Sequence, residues 1–292
     1  MIDALKKRVN HSPMHRLLSP LLLTLLLSFN NIANAEIAIL LHGLLGSSNS
    51  WERSGAADAL QQSGWERAGY IRGGGPNGVL LAQPLRTNRG NRIFYLVDFP
   101  TLIPLEQQSD LLEKMITRIS NNHPDEPIYL VGHSAGGIVA RMVVVHNRIP
   151  AIKGLFTIAS PHLGSPYADL AYDLATLPYP LRLLPKIVAN KKYKALRRSR
   201  TMIKGLSLAK PGTLLHWLNL QPHPDIHYYS IIRRQPPSKV KDALVPYWSQ
   251  DMNNIPAIRR RGTTLSTHAS HTISYEDGIL LGQLLNQLVV LP

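Results

Sequence analysis

IYLVGHSAGGIVARMVVVH, residues 128–146, is the stretch on which the fold turns. Residues 128–132 form a short, wholly apolar run, the pattern of a strand buried on both faces. Residues 135–146 continue with the spacing of a helix. Between the two, Gly132-His133-Ser134-Ala135-Gly136 is a G-x-S-x-G string set where a strand turns sharply into a helix. That context gives the string its chemistry. A serine on such a turn is lifted above the sheet edge, and Gly132 and Gly136 remove side chains that would collide there. The helix N-terminus beyond it points free N–H groups toward a developing oxyanion.

The flanking sequence repeats the alternation of strand and helix. Short apolar runs at 36–41, 92–98, 154–159 and 227–232 read as strands. Helical spacing occupies 51–63, 105–120 and 278–289, and the Gly/Pro-rich stretch 69–90 reads as a loop. Apolar strands alternating with helices predict an α/β fold, a mostly parallel central sheet with helices on both faces. Ligands on such sheets bind beyond the carboxyl ends of the strands, so the residues after each strand carry the function.

The first strand runs into His42-Gly43-Leu44-Leu45-Gly46, a turn able to present a backbone N–H toward the serine and complete an oxyanion hole. His42 has a bracing role in that turn, and His162, after the fourth strand, is a hydrogen-bonded loop residue. Asp242 follows the fifth strand, where an orienting carboxylate belongs; Asp251 is its rival, and Asp225 a poorer one because it precedes its strand. His268 and His271 come last, completing the order Ser…Asp…His. A serine nucleophile needs one histidine to take its proton, and His271, nearer the final helix, is favoured over His268.

With these pieces placed, the sequence resembles the α/β-hydrolase superfamily, and within it bacterial secreted lipases and esterases of the triacylglycerol lipase type. ILLHGLLG at 39–46, YLVGHSAGG at 129–137, IASPHLGSPYAD at 158–169 and DALVPYWSQ at 242–250 carry the likeness. It implies Ser134 as nucleophile, Asp242 as acid, His271 as base, and the amides of Leu44 and Ala135 as oxyanion hole. It further implies hydrolysis of lipid or other apolar acyl esters, without a cofactor. Many such lipases keep an asparagine or aspartate beside the histidine that helps hold calcium. Thr272-Ile273-Ser274-Tyr275 stand there instead, which argues against a metal.

The 292 residues contain no cysteine, which excludes disulfides, thiolate metal centres and a cysteine nucleophile. Lys6, Lys7, Arg8 and Arg16 flank an apolar run at 17–27, followed by Ala33-Asn34-Ala35. This is the pattern of a secretory signal peptide over 1–35, too short in its apolar part to span a membrane. The catalytic domain is then 36–292, exported to the periplasm or beyond the cell.

The formal charge is +14, and ten of the basic residues fall in 174–224, which holds no Asp or Glu. This leucine-rich stretch is the core of a basic, helical lid insertion over about 170–225, suited to an anionic membrane surface. Nucleic acid is a poorer partner, because few aromatics, Tyr179, Tyr193 and Trp217, offer stacking in that stretch. Two alternatives to an ester hydrolase stay open. One is a non-catalytic cationic lipid-surface binder on a hydrolase scaffold; the other is a hydrolase of thioesters or amides.

Overall fold

The computed structural model describes residues 36–290 except 74–78, 85–90, 147, 177–193, 195–196 and 235–243. The proposed signal peptide, Asp242, and Arg182, Lys186, Lys191 and Lys192 of the basic stretch lie outside the described residues.

Eight strands form one sheet: β1 (Glu36–Leu41), β2 (Glu66–Gly73), β3 (Val79–Pro84), β4 (Arg92–Asp98), β5 (Ile128–His133), β6 (Ile152–Ile158), β7 (His227–Arg233) and β8 (Gly262–Thr267). Their order is β3-β2-β4-β1-β5-β6-β7-β8. All pairings are parallel except that of β3 with β2 at one edge. Registry brings the functional turns together. Leu41, the last residue of β1, pairs with Gly132, and His133 pairs with Ile158. Ile158 pairs with Ile231, and Arg233 with Thr267. The segments after β1, β5, β6, β7 and β8 therefore leave the sheet along one edge.

Helices cover both faces because the apolar strands must be buried on both sides. One face carries α3 (Leu105–Asn122), α4 (Ala135–His146), α6 (Arg200–Gly205) and α7 (Leu214–Leu220), with Leu112, Met115, Ile138, Met202 and Leu215 in its core. The other carries α1 (Asn49–Arg53), α2 (Ala56–Gln62) and α9 (Tyr275–Val290), packed through Trp51, Leu60, Leu281 and Leu285. Between β6 and α6 lies α5 (Pro166–Ala175), and the short α8 (Tyr247–Gln250) precedes β8.

The sequence reading departs from the structure in four places. The single helix expected at 51–63 is two, broken at Gly55, whose φ of 75° no helix can hold. The stretch 69–90 carries β3 and most of β2 rather than loop alone. β8 adds a strand that the apolar pattern does not predict, because GTTLST has no continuous apolar run. The last helix begins at Tyr275 rather than 278, because Ser274 and Asp277 cap it: the Ser274 N–H donates to Asp277 Oδ2 at 2.8 Å.

Candidate active site

Ser134 sits between β5 and α4 with φ = 52°, in the left-handed region that a non-glycine residue rarely enters. Its N–H donates to the Ile158 carbonyl of the neighbouring strand at 2.8 Å, so the sheet itself holds the turn. A Cβ on Gly132 would stand 2.4 Å from Gly137 Cα, and one on Gly136 2.4 Å from the His42 carbonyl oxygen. Any side chain at either position would push the turn apart.

His271 meets this serine. Its Nε2 lies 3.0 Å from Ser134 Oγ, across 137 residues of sequence. His268 does not reach it; that ring is exposed, and its Nδ1 lies 2.8 Å from the Arg234 carbonyl. Two buried groups support the segment bearing His271. His133 Nε2 is 2.7 Å from the His271 carbonyl oxygen, so it must carry the proton and donate. Burial, reinforced by His271 nearby, pushes the His133 pKa down to about 4, which keeps the ring neutral. Arg233, the last residue of β7, forms a bidentate pair with Asp277 at 2.7 and 2.6 Å. It also donates to Thr267 Oγ1 and the Thr272 carbonyl. Neither His133 nor this pair was singled out by sequence. The S-x-x-D string at 274–277 is the signal for Asp277, whereas Arg233 shows only as a charge closing an apolar run.

Leu44 lies in the turn after β1 and Ala135 opens α4. Neither amide N–H reaches a protein acceptor among the described residues. His42 is buried, its Nδ1 donates to the Gly43 carbonyl at 3.0 Å, and its ring stacks on Phe99 at 4.7 Å. Burial lowers its pKa, so it braces the turn as a neutral ring. His162 is also buried, with Nε2 3.1 Å from Thr157 Oγ1, and burial lowers its pKa strongly.

The structure separates the rival acids. Asp251 accepts from the Asn253 N–H and from Thr264 Oγ1, capping a short turn. Asp225 is fully exposed before β7, with Arg261 3.7 Å away. Asp242 itself is outside the described residues; the chain just after it is held by hydrogen bonds. The Leu244 carbonyl accepts from Ser165 Oγ, and the Val245 carbonyl from Gln250 Nε2 at 2.8 Å.

A cavity of about 700 Å³ opens over Ser134 and His271. Leu44, Leu45, Leu244 and Val245 line it, with Ala168 and Ala171 of α5, Ile203 of α6 and Leu206 just after it, and Ser50 and Arg53 of α1. Such a pocket takes an apolar chain and presents its carbonyl to a hydroxyl held against an imidazole. Among the described residues, no three His, Asp or Glu side chains converge as metal ligands.

Residues 33–177 match the family model of the PGAP1-like alpha/beta domain, a segment that includes Ser134. GPI inositol-deacylase of Debaryomyces hansenii is 35% identical over 101 residues, 30% of this chain and 10% of that protein. Triacylglycerol lipase 2 of Saccharomyces cerevisiae is 34% identical over 79 residues, 26% of this chain and 24% of that protein. The matches thus span a quarter or less of these curated relatives. Among solved structures, the mature Bacillus licheniformis lipase BlEst2 superposes with a TM-score of 0.54 at 18% identity, covering 90% of this chain and 94% of that one.

Proposed function

Because the chain has the α/β-hydrolase fold, we propose that it is a serine ester hydrolase acting on lipid or other apolar acyl esters. The observation that carries this reading is the 3.0 Å contact between His271 Nε2 and Ser134 Oγ at the floor of an apolar cavity. The similar proteins, by name a deacylase and two lipases, agree with an acyl group as the part removed.

Ser134 Oγ attacks the ester carbonyl carbon while its proton passes to His271 Nε2. The carbonyl oxygen, now negative, is received by the N–H groups of Leu44 and Ala135. Collapse breaks the ester bond, His271 returns its proton to the leaving alkoxide, and an acyl-serine remains. Water attacks that acyl group with His271 again as base, releasing the carboxylic acid and restoring Ser134. Asp242 is the acid that orients His271. Its rivals are committed elsewhere, and Leu244 and Val245, two and three residues on, line the same cavity. Residues 1–35 direct export, and the basic stretch 174–224 draws the enzyme to anionic lipid.

The test is hydrolysis of a chromogenic acyl-ester series, short to long chain, by wild type, S134A, H271A and D242N. Loss of a triad member leaves roughly a thousandth of the rate or less. Wild-type turnover that survives S134A overturns the assignment. The chain-length optimum separates esterase from lipase.

A further inference from the structure

We infer that Arg53 reads the alcohol side of the ester, and that the preferred substrate carries a phosphate group there. This rests on the ester-hydrolase reading of the cavity for its chemistry, though not for its binding.

The cavity has two unlike sides. Ala168 and Ala171 of α5, Ile203 of α6 and Leu206 just after it join the core on one face of the sheet. Ser50, Arg53 and Ser54 belong to α1 and the turn after it, anchored by Trp51 in the core on the opposite face. Ser134 and His271 lie at the sheet edge between the two layers. An acyl chain finds its apolar environment on the α5–α6 side. The alcohol portion then faces α1.

Arg53 is the one Lys, Arg, Asp or Glu among the described residues lining this cavity. Acidic side chains near it in sequence are spent elsewhere. Glu52 accepts from Arg67 Nη2 and from the Tyr70 hydroxyl, both at 2.7 Å. Asp58 lies 3.5 Å from the same Arg67 nitrogen. Arg53 itself forms no ion pair among the described residues. Beside it, the Ser50 hydroxyl accepts from the Ser47 N–H and keeps its own proton to donate. A guanidinium with no acceptor among the described residues, next to a spare hydroxyl, matches the several acceptor oxygens of a phosphate. An uncharged alcohol would leave those donors to water.

Binding of the short-chain dialkyl ether of glycerol 3-phosphate, below its micelle concentration, should be compared with that of the matching dialkyl glycerol. Calorimetry on the full chain, as wild type, R53K and R53Q, reads both ligands. Wild type should favour the phosphate ligand about tenfold, the scale of one charge-assisted hydrogen bond partly exposed to water. R53Q should bring that ratio close to one, and R53K should keep part of it. Equal binding of both ligands by wild type overturns the inference, as does R53Q weakening both by the same factor. So does inorganic phosphate displacing the ligand at matching concentration, which would mark a free-anion site. Ethers are not cleaved, so this result stands apart from catalysis: an inert Ser134 would sink the ester-hydrolase reading and leave Arg53's preference measurable.

Discussion

At the scale of single residues, two imidazoles meet beside Ser134, with the rings of His133 and His271 5.3 Å apart. One must stay neutral for the other to accept a proton without repulsion, and burial selects His133. The consequence is a pH dependence of stability. His133 titrates near 6.5 when unfolded and near 4 when folded, so the unfolded chain binds more protons between those values. Its contribution is complete above about pH 6.5 and is lost as pH falls toward 4. H133Q retains a donor for the His271 carbonyl and has no proton to gain. Urea denaturation at pH 7 and pH 4.5 should show the wild type losing more stability than H133Q, by about 2–3 kcal/mol. Equal losses would mean that the ring is hydrated in the folded protein. Sequence made Ser134 legible, because a G-x-S-x-G string constrains the backbone around it. Choosing between His268 and His271 needed more. Chain order admits both, and three residues of turn decide which ring faces the serine and which faces the Arg234 carbonyl.

At the scale of elements, His271 stands on a segment between β8 and α9 that one buried ion pair fastens. Arg233 and Asp277 are 0% and 1% exposed. Through them β7 is tied to the Thr272 carbonyl, and Asp277 in turn accepts from Ser274. The backbone N–H of Arg233 also donates to Gln250 Oε1, whose amide holds the Val245 carbonyl. One strand end thus touches the supports of both the histidine segment and the chain after Asp242. Removing half of the pair, as in D277N, leaves a buried guanidinium uncompensated and should cost about 3–5 kcal/mol. R233M/D277L replaces the pair with apolar volume and should recover most of that stability in urea melts. It also unpins Thr272 and Ser274, so its kcat on a chromogenic ester should fall at least ~10-fold with KM little changed. Full kcat in the double variant would show that the pair serves stability alone. These supports were hard to read in sequence for a physical reason. β8 is an edge strand with a half-exposed, threonine-rich pattern. Apolar runs reveal central strands such as β5, whereas edge strands are specified by neighbours that the local pattern does not contain.

At the scale of the whole molecule, charge and apolar surface fall on related parts of the chain. Lys194, Arg197, Arg198 and Arg200 share one concavity, and no carboxylate among the described residues pairs with them. Leu45 and Leu244, 70% and 54% exposed, line the cavity over Ser134, and Leu170 and Trp217 add exposed apolar surface on α5 and α7. No helix among the described residues is long and apolar enough to cross a membrane. A surface of this composition fits peripheral docking, in which basic side chains supply attraction and apolar ones shallow insertion. Each basic residue near an anionic bilayer contributes about 1 kcal/mol before screening, and the attraction decays over roughly 8–10 Å at ordinary salt. Cosedimentation should therefore show binding to phosphatidylglycerol vesicles well above binding to phosphatidylcholine vesicles, and the difference should shrink as salt rises to about 0.5 M. Replacing the four cations together by glutamine should weaken the anionic binding at least ~10-fold. L45S/L244S should instead lower binding to both kinds of vesicle, because it removes insertion and leaves charge untouched. Equal affinity for neutral and anionic vesicles, indifferent to salt, would leave the charge of 174–224 without a role at membranes. In that case the apolar rim alone would bring the cavity to its substrate.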